Sequence, residues 1–203
     1  MEKTIFLDSQ NIMIEGKLCL QGLERGIVMT HPHPLYGGDM NNPVVQQLIR
    51  CCKDKGYSTL RFNFRGVGQS QGRYDHGNGE QEDVLSAIHF LESQGIQDVW
   101  LAGYSFGTWV NTKLVTNHRL NHSMIMVSPP VAFMDFRPIH SLVGLKLVIV
   151  GEVDDIAPVA QVKSIQSQWN QHAHLEIIQG ADHFFSNTLH LYQNVLQKHL
   201  SLQ

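Results

Sequence analysis

Short apolar runs alternate along this chain with segments of helical periodicity. Residues 4–8 and 12–20 flank Asp8-Ser9-Gln10-Asn11 and predict an antiparallel hairpin. The run Gly26-Ile27-Val28-Met29-Thr30 reads as a strand and stops at His31-Pro32-His33-Pro34, where two prolines forbid both a helix and a central strand. After a loop through Gly37-Gly38-Asp39, Pro43 suits a helix first turn. Val44, Val45, Leu48, Ile49 and Cys52 then recur at helical spacing until Gly56. Beyond it the spacing predicts a strand over 57–64, a glycine-rich loop over 65–79, a helix over 80–94 and a strand over 99–102. A helix over 105–118, strands over 123–127 and 145–150, a helix over 158–170, a strand over 174–178 and a helix over 182–200 complete the series. Repeated strand–helix units with nearly continuous apolar strands imply a parallel sheet covered on both faces, which the N-terminal hairpin would make mixed. With no internal repeat or linker, residues 1–203 read as a single α/β domain.

Composition narrows the classes. Hydrophobic residues make up 42% of the chain, enough for a sizeable core, while charged residues are 16%, below the roughly 25% of an average soluble protein. Fifteen Lys and Arg against 18 Asp and Glu give a net charge of −3, which disfavours a nucleic-acid binder or an anionic-membrane binder. Cys19, Cys51 and Cys52 contain no C-x-x-C and make no disulfide framework, so reduced thiols and a cytoplasmic location are expected. The first residues, MEKTIFLDSQ, lack a signal-peptide h-region, and no run approaches the ~18 apolar residues of a membrane span.

Chemistry enters at Gly103-Tyr104-Ser105-Phe106-Gly107, a G-x-S-x-G. With 17 glycines in the chain the pentapeptide arises by chance in roughly one such sequence in ten, so its context decides. Here it follows the apolar run Asp98-Val99-Trp100-Leu101-Ala102 and opens a helical segment, the setting of a nucleophile elbow. Such a turn exposes the serine Oγ beside a helix N-terminus, whose N–H groups favour developing negative charge. A serine hydroxyl needs a histidine to take its proton and a carboxylate behind the imidazolium, in the chain order Ser, acid, His. After the strand Leu147-Val148-Ile149-Val150, Asp154 and Asp155 compete for the acid, with Glu152 a distant third; Asp154 is favoured. For the base, His183 stands in the turn Gly180-Ala181-Asp182-His183. His172 and His174 flank a strand at its wrong end, and His190 and His199 read as surface residues of the last helix.

These residues bring the chain to a family. It resembles the small bacterial α/β-hydrolase fold proteins related to dienelactone hydrolases and acyl-peptidase-like hydrolases. The resemblance runs through His31-Pro32-His33-Pro34-Leu35-Tyr36-Gly37-Gly38, Arg61-Phe62-Asn63-Phe64-Arg65-Gly66-Val67-Gly68-Gln69-Ser70, the Ser105 pentapeptide, Val127-Ser128-Pro129-Pro130, the Asp154 loop and Ala181-Asp182-His183-Phe184-Phe185. It implies a mostly parallel sheet of about seven or eight strands with helices on both faces. It also implies Ser105 as nucleophile, Asp154 as acid and His183 as base. The oxyanion hole it implies uses the Phe106 N–H and one from the loop after Thr30. Prolines have no N–H, so His33 is that second donor. Dienelactone hydrolases proper carry a cysteine where this chain has Ser105, a departure from that activity.

Other readings compete. His31-x-His33 could begin a metal site, but no further ligand motif follows, so no metal or organic cofactor is expected. The loop over 65–79 lacks G-x-G-x-x-G and a Walker lysine and reads as a tight turn beside the site. Phe133, Met134 and Phe136 are candidates for the wall of an acyl pocket, and ordinary core packing is the alternative; Tyr36 and Phe184 are further candidate substrate contacts. The connection from Val127 to Leu145 is far below the roughly 50 residues of a domain, so it forms at most an apolar flap, not a cap. The expectation is a lid-poor serine hydrolase cleaving an ester, thioester or amide of a small acyl substrate, as a monomer or a homodimer. A peptidase for short acyl-peptides and a non-catalytic binding protein on the same fold are the alternatives.

Overall fold

The computed structural model describes residues 1–200. Its eight strands form one sheet in the order β1-β2-β4-β3-β5-β6-β7-β8. They are β1 (Lys3–Ser9), β2 (Ile12–Cys19), β3 (Arg25–Thr30), β4 (Ser58–Phe62), β5 (Asp98–Tyr104), β6 (Met124–Val127), β7 (Leu145–Gly151) and β8 (His174–Ile178). β1–β2 and β2–β4 pair antiparallel and every later pair is parallel, the mixed α/β sheet that the pattern predicts.

Period-two alternation divides the strands between two cores. On one face Val28, Leu101, Met126 and Val150 pack under α2 (Gly79–Ser93), α3 (Phe106–His118) and α4 (Val159–Trp169). On the other Ile27, Met29, Ala102 and Ile149 meet α1 (Pro43–Asp54) and α5 (Leu189–His199). Both faces are covered over the central strands, while β1 at the edge leaves Phe6 exposed, and the strand C-termini carry the candidate residues. Among the described residues no helix is long and apolar enough to cross a membrane.

Three local expectations need correction. The His-Pro-His-Pro segment does admit helix: Pro34–Tyr36 is a 3-10 turn, with Pro34 at the first position where a missing N–H costs nothing. The last helix begins at Leu189, not Asp182. The Asp182 carboxylate accepts the N–H groups of Phe184 (3.1 Å) and Ser186 (3.2 Å) and the Ser186 hydroxyl (3.1 Å), stabilising a turn in place of a helix start. His199 is buried, its Nε2 2.6 Å from Glu176 Oε1 across to β8, while His190 on the same helix is exposed.

The glycine-rich loop between β4 and α2 is tied to the core by charge. Asp83 is buried and accepts from Arg65 Nη2 (2.8 Å), the Arg65 N–H (2.9 Å) and the Ser9 hydroxyl (2.8 Å). Breaking a buried pair leaves the partner charge uncompensated, so Asp83→Ala should lower stability by about 3–5 kcal/mol. Asp135→Ala, at an exposed pair with Arg137, should leave it unchanged. Urea denaturation midpoints of the two variants check this; equal midpoints would refute the anchoring role.

Candidate active site

Ser105 lies on the hinge between β5 and α3 with φ 52° and ψ −120°, a strained backbone for a residue with a side chain. The hinge can be this tight because its neighbours have no side chains. A Cβ on Gly103 would stand 2.7 Å from the Gly107 carbonyl carbon and the Thr108 nitrogen, and one on Gly107 would collide with the hydroxyl and carbonyl of Thr30 on β3. The Ser105 N–H donates to the Val127 carbonyl (2.9 Å), and its carbonyl accepts the N–H and hydroxyl of Thr108 (2.8 and 2.7 Å).

Three predicted residues meet at this hinge. Ser105 Oγ is 2.9 Å from His183 Nε2, and His183 Nδ1 is 2.9 Å from each Asp154 oxygen. All three are buried, and the separations along the chain are 78 and 29 residues, so only the fold assembles them. An ionised carboxylate only accepts, which places the His183 proton on Nδ1 and leaves Nε2 to accept from the serine hydroxyl. Burial works against the charge on Asp154. Hydrogen bonding and the charge of His183, with the Ala157 N–H at 2.7 Å, outweigh it and hold the carboxyl below its ordinary value. The competing carboxylates are elsewhere: Asp155 is exposed, and Glu152 accepts the Gly180 N–H (2.9 Å). Tyr104, inside the pentapeptide, donates its hydroxyl to the His183 carbonyl (2.9 Å) and fixes the loop that carries the imidazole.

The loop after β3 is held by two histidines. His31 is fully buried; its Nδ1 donates to the Pro32 carbonyl (2.6 Å) and its Nε2 accepts the Phe64 N–H (3.0 Å). A trans peptide is planar, so gripping the Pro32 carbonyl turns the His33 N–H the opposite way. The His33 carbonyl accepts the N–H groups of Tyr36 (3.1 Å) and Gly38 (3.0 Å). Its ring lies against Phe106 with centroids 4.7 Å apart, and Nε2 is 3.3 Å from the Tyr74 hydroxyl of the glycine-rich loop.

Two cavities flank Ser105. One, of about 400 Å³, is walled by Phe106, Pro130, Phe133, Met134 and Ile156. The other, of about 370 Å³, is walled by Asn42, Tyr104, His183 and Phe184. Tyr36 and His33 border both. Phe133, Tyr36 and Phe184 line these cavities. Phe136 does not: it is 2% exposed and stacks on Trp169, with centroids 5.3 Å apart, so it is core and not pocket wall. Ile139 of the flap is buried likewise. The flap is pinned at intervals, by Trp109 Nε1 to the Asp135 carbonyl (3.0 Å), Ala132 N–H to the Ile156 carbonyl (3.2 Å) and Leu142 N–H to the Trp169 carbonyl (2.9 Å). Sequence reasoning missed Asn42, Tyr104, Pro130 and Ile156. Three of them stand inside segments already singled out, while Asn42 shows only as a helix cap. Among the described residues no three His, Cys, Asp or Glu side chains cluster as a metal site.

Residues 26–199 match the alpha/beta hydrolase domain family. An uncharacterised protein of Rickettsia prowazekii (strain Madrid E) is 38% identical over 169 residues, 78% of this chain and 71% of that protein. An alpha-beta serine hydrolase homologue from Coxiella burnetii is similar in structure with a TM-score of 0.87 and 34% identity, over 97% of this chain and 96% of that one. A Xanthomonas campestris member of the a/b serine hydrolases, described as without lid, gives 0.89 and 28% over 99% and 94% of the two chains.

Burial pushes the His31 imidazole down to about 4, against the pull of its bond to Pro32. An unfolded imidazole takes up its proton near pH 6.5 and the folded one only near 4, so stability present above pH 6.5 is lost as the pH falls between them. The loss should be about 3 kcal/mol. Unfolding free energies of the wild type and His31→Asn across pH 4–7 check this. The variant should lack that component, and parallel pH profiles would contradict it.

Proposed function

The chain belongs to the alpha/beta hydrolase domain family, and within it we propose that it is a serine hydrolase releasing a carboxylic acid through an acyl-enzyme on Ser105. The observation that carries this reading is the unbroken chain of 2.9 Å contacts from the Ser105 hydroxyl through His183 to Asp154, set on a strained strand-to-helix hinge.

Each step follows from that geometry. The Ser105 oxygen attacks the carbonyl carbon of an ester, thioester or amide while His183 Nε2 takes its proton. Asp154 holds the imidazole in the required tautomer and stabilises the imidazolium. The carbonyl oxygen, now negative, accepts from the N–H groups of Phe106, at the first turn of α3, and His33, turned outward by the grip of His31 on Pro32. Collapse expels the leaving group, which takes the proton from His183 Nε2. A water molecule then repeats the sequence on the acyl-enzyme, giving up a proton to His183 and freeing the acid and Ser105.

Kinetics of point variants test this reading. Ser105→Ala should lower kcat by several orders of magnitude with the fold intact, since members of a triad act as a unit. Asp154→Asn should cost on the order of 10⁴ in kcat by spoiling the imidazole tautomer. Asp155→Asn, at an exposed position, should change it little. Retention of more than about a tenth of the activity by Ser105→Ala, or a reversed order for the two aspartates, would overturn the assignment.

A further inference from the structure

The two cavities beside Ser105 differ in one respect that chemistry can read: His183 borders the second and not the first. The group that departs must receive its proton from His183 Nε2, so it has to stand on the side where that nitrogen is exposed. The acyl chain, fixed to Ser105 through the planar carbonyl, extends the other way. Neither cavity has a lysine, arginine, aspartate or glutamate among its walls. A carboxylate, phosphate or ammonium placed within either lobe would lose water and gain no ionic partner.

From this we propose that the substrate is uncharged on both sides of the scissile bond, with its acyl chain in the Phe133–Met134 lobe and its leaving group in the Phe184–Asn42 lobe. This rests on the serine hydrolase reading above and adds the substrate class to it. The acyl lobe is mostly apolar: the side chains of Phe106, Pro130, Phe133, Met134 and Ile156 offer carbon, sulfur and ring faces, and polar side chains enter only through His33, Tyr36 and Ser105, which it shares with the other lobe. The leaving-group lobe is mixed. Tyr36 and Phe184, 87% and 63% exposed, offer flat apolar faces at its rim. Asn42 offers a donor: its Oδ1 is taken by the Val44 N–H (2.9 Å) as a helix cap, which leaves the side-chain NH₂ for a ligand oxygen. The leaving group that fits is a neutral aryl or alkyl alcohol bearing an oxygen acceptor. The lobe has no cation to hold the free carboxylate of an amino acid or peptide, so a neutral ester fits it better than an acyl-peptide.

Four butyryl-scale substrates and two variants test the proposal. The neutral substrates p-nitrophenyl butyrate and 4-methoxyphenyl butyrate should exceed 4-carboxyphenyl butyrate and the p-nitrophenyl monoester of succinate in kcat/KM by roughly tenfold or more. Phe184→Ala should change discrimination among leaving groups while the acyl-length preference, read as a ratio among p-nitrophenyl esters, stays as in the wild type. Phe133→Ala should change the acyl-length preference while the ratio between leaving groups on a common butyryl group stays as in the wild type. Both side chains are largely exposed, so both variants should fold. Charged substrates turned over as well as neutral ones would overturn the substrate class, and an exchange of the two variants' effects would overturn the lobe assignment. The absence of any Ser105-dependent turnover of all four substrates would instead overturn the hydrolase reading, and this proposal with it.

Discussion

The hinge at Ser105 works because two backbones touch where no side chain intervenes. Gly107 lies on the end of β3 at Thr30, and Gly103 lies on the first turn of α3. That contact forces Ser105 to φ 52°, lifts its Oγ off the sheet and directs the first N–H groups of α3 to the same side. Any larger residue at either glycine would open the hinge and move the hydroxyl away from a nitrogen now 2.9 Å distant. Strain at this one residue is sustained by the burial of everything around it, since β3, β5 and β6 are covered on both faces.

The parallel part of the sheet then makes the rest of the site a matter of register. Tyr104 pairs with Val127, Val127 with Ile149, and Gly151 with Ile178, so the loops leaving β5, β6, β7 and β8 start close together. Asp154 lies three residues past β7 and His183 five past β8. Each loop is then tied down by bonds other than those to Ser105. Asp154 accepts the N–H groups of Ile156 and Ala157, the His183 carbonyl accepts the Tyr104 hydroxyl, and the Pro32 carbonyl is gripped by His31. Hydrogen bonds away from Ser105 thus set the orientation of the groups that surround it.

What the sequence makes legible is what depends on nearest neighbours and on fixed order. The alternating strand and helix periods show the sheet, and G-x-S-x-G after an apolar strand marks the hinge. The order Ser, acid, His along parallel strands leaves few candidates for Asp154 and His183. Legibility fails where one side chain decides between two local conformations or two environments. Asp182 draws N–H groups that would otherwise open a helix, so α5 starts seven residues after the apolar pattern suggests. Phe133 and Phe136 are three apart in one irregular flap, and nothing in their spacing tells that one faces the cavity while the other stacks on Trp169. His199 looks like a surface residue until β8 places Glu176 beside it.

On the proposed reading, Ser105 and no other serine is made nucleophilic by the fold. The decisive test is labelling of the native protein with a fluorophosphonate, followed by intact mass and peptide mapping. One adduct per chain is expected, on Ser105, lost on denaturation before labelling and in the His183→Ala variant. A native protein that takes up no label, or carries it on another residue, would contradict it.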